Sequence, residues 1–474
     1  MTLFIVLEAE DGLCKHGLKC NMIHFHKESP EDVSSLEEMF SEGMFYGRLR
    51  FNSFGFKWEN EIDNRRKNHA IAGMGTSFHY RSAYLNGFGF GVGVYTTQAL
   101  GSLEATDVHI YKAGKDLLSR YNALHQNKNT LNTIAQGYLE YTFDDHTLKA
   151  GRQTFESYLT ASNDTKMIPN SFEGLTYYSK SLYGTSLKLG YLTKQKLRDH
   201  TDFHHVLAYG DDSLDAYARY SENDDAAMHR GLTSSKLEDL GIRDKLMIVE
   251  MKNNSFRNLS LLLNYTSVPD LVSSGMLEAH YRLDIENWTI VPGVRYMKQL
   301  DNGAGKIGGA NIKTLTTGYT NPDSVDTQMY GLRVDVIQDN FKLRFGHTQV
   351  EDRGDIIAPW RGFPTTGFTR AMGQYNWYAN TKSYMVQLDY EFEHIPNFKV
   401  LSRFVLQDFD NHKEGVPSDS SVFTLDFAKT FLDKSLYVKT RYAHVVGNTM
   451  VTPSGFEKLN PSYDELRMEI NYLF

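Results

Sequence analysis

The sequence predicts an all-β fold, a transmembrane antiparallel β-barrel of about eighteen strands with short periplasmic turns and long extracellular loops. Two observations point to it. Apolar and polar residues alternate from about residue 43 to the C-terminus, and the links between the alternating segments are short and long in turn. In addition, no stretch approaches the roughly 18 consecutive apolar residues that a transmembrane helix needs.

The composition narrows the possible functions. The net charge of -8 argues against nucleic acid as a partner, because nucleic acid requires a basic surface. Aromatic residues make up 13% of the chain, with 29 Tyr and 28 Phe, and this favours strands. The mean hydropathy of -0.45 resembles that of a soluble protein, so membrane-spanning helices are not expected.

Residues 1–42 differ from the rest and are predicted to be a leader with one short helix. No signal peptide is recognisable, because no basic region precedes the apolar run from Leu3 to Leu7, and the start site is therefore in doubt. The stretch "SPEDVSSLEEMFSEG" predicts a capped helix with Ser29 or Ser34 as the cap.

The same leader contains Cys14 and Cys20, followed by His24 and His26. Their spacing matches no common zinc site, so we expect neither a metal nor a cofactor.

The alternation is regular in the barrel region, residues 43–474. In "GMFYGRLRFN", Phe45 and Leu49 fall on one face, whereas Arg48 and Arg50 fall on the other. Such a pattern indicates a strand with one apolar and one wet face. The windows lie near 43–52, 72–82, 86–96, 136–143, 147–153, 173–179, 184–194, 245–252, 258–266, 276–285, 287–298, 328–336, 340–349, 382–391, 398–407, 420–429, 434–444 and 463–474.

The links indicate where these strands end. Short links such as "DDH" and "IQD" alternate with long ones at 53–71, 97–135, 154–172, 195–244, 299–327 and 350–381. A membrane barrel has this asymmetry, whereas a soluble sandwich has turns of mixed length at both ends. A soluble barrel of this size would also leave its apolar face without a core, so the apolar face is expected to meet lipid and the charged face water.

Basic residues of inward parity are the candidate pore residues. Because the last strand of a closed barrel pairs with the first, they would share one wall; they are Arg48, Arg50, Arg81, Lys439, Arg441 and Arg467. A basic stripe in a water-filled pore attracts carboxylates. The alternative is that these charges only solvate the lumen in mutually neutralising pairs.

Two long loops, near 154–172 and 350–381, are candidate constrictions because long loops of biased composition are often functional. The alternative is that they lie outside and contact neighbours or lipopolysaccharide. Their candidate residues are Glu156, Tyr158, Asp352, Asp355, Arg361 and Arg370.

The stretches "LKAGRQTF", "IPNSFEGLTYYS", "GFTRAMGQYNWYANTKSY" and "EINYLF" resemble OprD-type outer-membrane porins, particularly the epsilonproteobacterial branch. The resemblance covers roughly residues 35–474. It implies an eighteen-stranded barrel narrowed by its third and seventh loops, with a basic ladder that guides carboxylates. It also adds Arg152, in "GRQ", to the candidate wall.

The function predicted is therefore passive diffusion of small hydrophilic solutes across the outer membrane of a Gram-negative cell, with a preference for carboxylates and no enzymatic activity. Expected partners are outer-membrane lipid and lipopolysaccharide, the solutes and the barrel assembly machinery, with the chain a monomer or a homotrimer. The alternatives are an outer-membrane lipase or protease, although no Gly-x-Ser-x-Gly or His-Glu-x-x-His is present, or a surface adhesin.

Overall fold

The computed structural model describes residues 17–19, 21–26, 28–101, 105–210 and 227–474. Within them, antiparallel strands form a closed 18-strand barrel. In chain order, β1 to β18 are Met44–Trp58, His69–Arg81, Phe88–Leu100, Thr130–Phe143, His146–Gln153, Ser171–Leu182, Thr185–Lys196, Leu246–Asn253, Leu259–Val268, Val272–Tyr281, Trp288–Asp301, Thr327–Gln338, Phe341–Val350, Lys382–Glu391, Phe398–Asp408, Ser420–Phe431, Leu436–Gly447 and Tyr463–Leu473.

The barrel closes where the two ends of the chain meet. Strand β18 pairs antiparallel with β1, with Arg50 opposite Asn471 and Phe54 opposite Arg467, and it pairs with β17 on its other side. Closure gives every spanning strand two hydrogen-bonded neighbours, as a bilayer interior requires. The predicted fold class is confirmed, and each predicted window overlaps one of these strands.

Short and long links alternate around the barrel, as predicted. The short-turn end carries tight connections such as 144–145, 183–184 and 339–340, whereas the long-loop end carries 101–129, 154–170, 197–245, 302–326 and 351–381. One connection at the long-loop end is short, residues 269–271 between β9 and β10. In order along that end, residues 154–170 are loop 3 and residues 351–381 are loop 7.

The apolar face of the barrel points outward. Leu49 is 52% exposed and Leu139 is 68% exposed, whereas Arg48 and Arg50 are buried at 1% and 3%. This arrangement, apolar outside and polar inside, is the reverse of that in a soluble protein and is expected of a sheet whose outer face contacts hydrocarbon.

Helices are few and short among the described residues. They are α1 to α4 (Leu36–Ser41, Arg120–Gln126, Ser234–Asp239 and Ala304–Gly308), with 3-10 turns at Ala105–Ile110, Lys115–Leu117 and Leu432–Lys434. None has the length and apolar character needed to span a bilayer.

The N-terminal cap of α1 differs from the prediction. Ser35, not Ser29 or Ser34, accepts the backbone N–H of Glu38 and begins the helix. Ser34, the residue before this cap, donates its backbone N–H to the Glu38 carboxylate. The two hydrogen bonds together resemble a capping box. The prediction of the helix itself is confirmed.

Candidate functional site

The inward basic side chains of β17 and β18 lie side by side. Arg441 on β17 is directly opposite Arg467 on β18. The Asp426 carboxylate on β16 accepts from Arg441 at 2.9 Å and lies 3.6 Å from the Lys439 ammonium. One carboxylate thus pairs with two cations, so this group of three side chains keeps a net positive charge.

Arg467 continues this surface towards β1. Its Nε donates to Glu465 at 2.6 Å, and its guanidinium lies 5.3 Å from the centre of the Phe54 ring. The side chains of Arg441 and Arg467 are each 19% exposed, and their inward parity turns that exposed surface to the lumen.

Arg48 and Arg50, by contrast, do not face open water. Loop 3 enters the lumen and places Asp164 between them, where Asp164 Oδ1 lies 2.6 Å from Arg50 Nη1 and Oδ2 pairs with Arg48. Glu469 on β18 adds a second contact to Arg50, at 3.1 Å. All three side chains of the Asp164 group are 1% exposed, so these arginines hold loop 3 in place.

Arg81 belongs to the same run of strands but to a different cluster. It lies near the short-turn end of β2, 3.4 Å from Glu140, which also pairs with Lys149 at 2.9 Å. Arg81 therefore lies inside the barrel in an ion pair. It is nearer the short-turn end than Arg48, whereas the Arg441–Arg467 pair lies on the opposite side of Arg48.

Arg152 does not line the pore, and its assignment to the basic wall is wrong. Lys149 and Gln153 face inward, so alternation places Arg152 on the outer face. There it pairs with Glu173 at 3.4 Å and covers the ring of Phe203 at 4.6 Å.

Loop 7 is also held from the wall, by arginines of β11 to β13. Arg295 donates to the carbonyls of Pro364 and Thr366, both at 2.8 Å. Arg333 and Arg344 donate to the carbonyl of Gly367, at 3.0 and 3.2 Å. These side chains also pair with wall carboxylates, Arg295 with Glu278 and the other two with Asp335.

Loops 3 and 7 join each other inside the lumen. The Ala161 N–H donates to the Trp360 carbonyl at 2.9 Å, and the Gly362 N–H donates to the Leu159 carbonyl at 3.0 Å. Between these bonds lies Arg361, which is buried and has a φ of +71°. Burial lowers the pKa of Arg361 to about 9, with Arg198 adding like-charge repulsion.

A buried ionic cluster ties loop 3 to its neighbours. Asp116, in the 101–129 link, lies 2.7 Å from Lys166 of loop 3 and 3.1 Å from Arg198 of the 197–245 link. Burial alone would raise the pKa of Asp116, but the two cations outweigh it and hold that pKa below its ordinary value. The long loops therefore form one cross-linked assembly over the pore.

The remaining loop candidates have different roles. Glu156 accepts the Ser162 N–H at 2.8 Å within loop 3, and Tyr158 is buried, donating to the Pro364 carbonyl at 3.1 Å. Arg370 stacks against the rings of loop 7, its guanidinium 4.9 Å from the centre of Phe363.

Two of the predicted constriction residues, Asp355 and Asp352, have partners in other long-loop connections. Asp355 is fully buried, where it accepts the Tyr319 hydroxyl and the Ala379 N–H, and burial raises its pKa. Asp352 is 52% exposed and pairs with Lys413 of the next long-loop connection. Both bind other residues of the loop assembly, Asp355 in its interior and Asp352 at its exposed surface.

Sequence reasoning missed Arg403, which is not among the basic residues it selected for the pore wall. Arg403 points inward from β15 and donates to the amide oxygen of Gln387 at 2.6 Å, not to a carboxylate. Asp164 was missed as well. Loop 3 contains only two acidic residues, Glu156 and Asp164, so they were its only carboxylates that could pair with arginines of the wall.

The loops are thus anchored on two sides, loop 7 on β11 to β13 and loop 3 on β1. Between these anchors the wall carries Arg403, Lys439, Arg441 and Arg467, which we call the basic window. These four cations have two carboxylate partners among them, because Asp426 pairs with both Lys439 and Arg441, Glu465 pairs with Arg467, and Glu469 is drawn to Arg50. An anion crossing the barrel would meet this surface.

A family model described as outer membrane porin, OprD family, matches residues 48–474. The chain belongs to the OprD family. No curated protein matches its sequence.

Solved structures share this fold at low sequence identity. Pseudomonas aeruginosa OpdK, solved with vanillate, has a TM-score of 0.70 and 14% identity, with 92% of this chain and 99% of that chain covered. P. aeruginosa OpdQ has a TM-score of 0.65 and 18% identity over the same shares. Acinetobacter baumannii OccAB3 has a TM-score of 0.67 and 16% identity, covering 91% of this chain and 99% of that one.

Family membership places this OprD-family chain in the Gram-negative outer membrane. The short-turn end is accordingly the periplasmic end, and the long loops are extracellular. Family and fold are those of porin channels.

Proposed function

We propose that this porin is a passive diffusion channel for small hydrophilic solutes with a preference for those that carry a carboxylate. The observation that carries the proposal is the basic window, which lies between the two places where the constriction loops are fixed. No energy source is required, because selectivity arises from the width of the lumen and from its charge.

The arrangement of Arg403, Arg441 and Arg467 on neighbouring strands supports this preference. A guanidinium binds a carboxylate through two parallel hydrogen bonds, and a row of them lets an anion pass from one to the next. Vanillate, present in the OpdK structure, is itself an aromatic carboxylate.

The proposal extends to partners. Lipopolysaccharide would surround the outer face, the barrel assembly machinery would insert the strands, and the chain would work as a monomer or a homotrimer. Chemical cross-linking in outer-membrane vesicles, followed by electrophoresis without boiling, distinguishes the two oligomeric states.

The central test is ion selectivity in planar bilayers. In a potassium chloride gradient, replacing both Arg441 and Arg467 by Ala should shift the reversal potential towards cation preference, and block by benzoate should weaken. Arg152→Ala is the matched control, since it removes an arginine from the outer face and should leave both values unchanged. An unchanged reversal potential in the double variant would refute the carboxylate preference, and an absence of current in the purified, folded protein would refute the channel itself.

A further inference from the structure

Residues 17–19 and 21–26 lie inside the barrel at its periplasmic end. The described residues of this segment form a tight hairpin, in which the Lys19 N–H donates to the Ile23 carbonyl at 2.8 Å and the Phe25 N–H donates to the Gly17 carbonyl at 2.9 Å. The turn places Met22 in the left-handed region, with a φ of +65°. We call this segment the luminal hairpin.

The luminal hairpin packs its apolar side chains against three neighbouring strands. Leu18 and Met22 are 2% and 1% exposed, and they form a cluster with Ala428 of β16, Tyr437 of β17 and Leu473 of β18. These three residues have inward parity, where a water-filled pore would be lined by polar groups. The wall is therefore apolar at the place where the hairpin lies.

Polar contacts extend the same surface to β1 and β2. Arg48 donates to the Met22 carbonyl at 2.7 Å. The ring of His24 meets the edge of Tyr46 at 4.9 Å and of His79 at 5.8 Å. The hairpin thus covers a continuous surface from β16 to β2.

The tip of the hairpin reaches loop 3. Asn21 Nδ2 donates to Ser162 Oγ at 3.1 Å. Since Ser162 is two residues from Asp164, the hairpin and the folded loop meet beside Arg48. The segment therefore bridges the wall and the constriction loop.

The hairpin also lies directly below the basic window. Along β17 the inward positions run from Tyr437, which contacts the hairpin, to Lys439 and Arg441, which belong to the window. On β16 they run from Ala428 to Asp426 in the same way. A solute that leaves the window towards the periplasm meets the hairpin first.

We propose that the luminal hairpin is a plug that closes the periplasmic exit of the pore and must leave its site before solutes cross. The inference rests on the proposed channel function and adds a closed state to it. The released hairpin exposes the apolar wall residues and the Arg48 guanidinium, so the site it leaves is ready to receive it again.

A reversible disulfide tests the plug. Asn21→Cys and Ser162→Cys are combined in a chain whose Cys14 and Cys20 are replaced by Ser, because the two side chains already lie within hydrogen-bonding distance. In planar bilayers the oxidised channel should conduct several-fold less than the same channel after dithiothreitol. Asn21→Cys alone, in the same background, should not respond to dithiothreitol. Equal conductance of the oxidised and reduced double variant would overturn the proposal.

Deletion of residues 1–26 separates the plug from the channel function. The shortened chain keeps every barrel strand, and its folding is checked by its heat-modifiable migration in electrophoresis. We expect a larger conductance and fewer closures than in the full chain. Equal currents in the two chains would overturn the plug but leave the channel standing, whereas no current in either folded chain would overturn the channel.

Discussion

Asp164 Oδ1 lies 2.6 Å from Arg50 Nη1, with both side chains removed from solvent. The pair joins the middle of a constriction loop to the first strand of the barrel. Arg48 binds the other oxygen of the same carboxylate, so one acid neutralises two neighbouring arginines.

Asp164→Asn should therefore release loop 3 and expose two cations to the lumen. Removing one partner of a buried ion pair costs about 3–5 kcal/mol, because the remaining charge stays buried without compensation. We expect a larger conductance and a stronger anion preference in bilayer recordings. Asp284→Asn is the matched control, since Asp284 is 54% exposed at a periplasmic turn and should change neither property.

Arg403→Ala should reduce anion preference in the same direction as the double replacement of Arg441 and Arg467 by Ala. Arg403 contributes a guanidinium whose described partner is the neutral Gln387, so its charge remains available to a passing carboxylate. The reversal potential in a salt gradient measures the effect. Arg353→Ala, at a side chain 56% exposed near the rim, provides the comparison; if the two variants behaved alike, Arg403 would not belong to the window.

Arg295→Ala should loosen loop 7 without unfolding the barrel. The side chain donates two hydrogen bonds to the loop, and bonds from a charged donor are each worth about 1.5–3 kcal/mol. Limited proteolysis should cut loop 7 faster, and single channels should become noisier. Arg282→Ala, at the periplasmic turn, should leave loop 7 as resistant as it is in the original chain.

Acid should favour release of the luminal hairpin. Burial lowers the pKa of His24 to about 2 from its ordinary value of 6.5, with Arg48, His79, His26 and Arg50 adding repulsion in the docked state. The His24 imidazole therefore stays neutral in the docked hairpin at a pH at which it is protonated in the released hairpin. Docking is therefore strongest above about pH 6.5 and weakens progressively as the pH falls below that value.

Conductance of the full chain should accordingly rise between pH 7 and pH 5. His24→Asn should remove most of this rise, because Asn takes up no proton. A pH response that is the same in both chains would show that other groups control it.

Much of the fold could be predicted from the sequence because a strand that separates lipid from water must alternate, and each strand does so locally. The alternation of short and long links then indicated which end of the barrel carries the short turns and which carries the long loops. The basic side chains of β17 and β18 were found by the same parity argument, since closure brings Arg441 beside Arg467.

The role of Arg48 and Arg50 could not be predicted in this way. Their burial depends on Asp164, more than a hundred positions away, and parity shows only which face a residue occupies. Arg152 is a different case, because alternation from Lys149 would have placed it outside; the family resemblance, not the pattern, suggested the pore. Cys14 and Cys20, at which no metal site was expected, lie outside the described residues.

Leu473 interrupts the polar inward row of the last strand, and the luminal hairpin explains why. The hairpin contacts Leu473 on β18 and Arg48 on β1, which are directly opposite each other across the closing seam. This composite surface does not exist until the final strand has joined the first. The hairpin can therefore dock in this site only after the barrel has closed, because a half-inserted barrel lacks the surface that receives it.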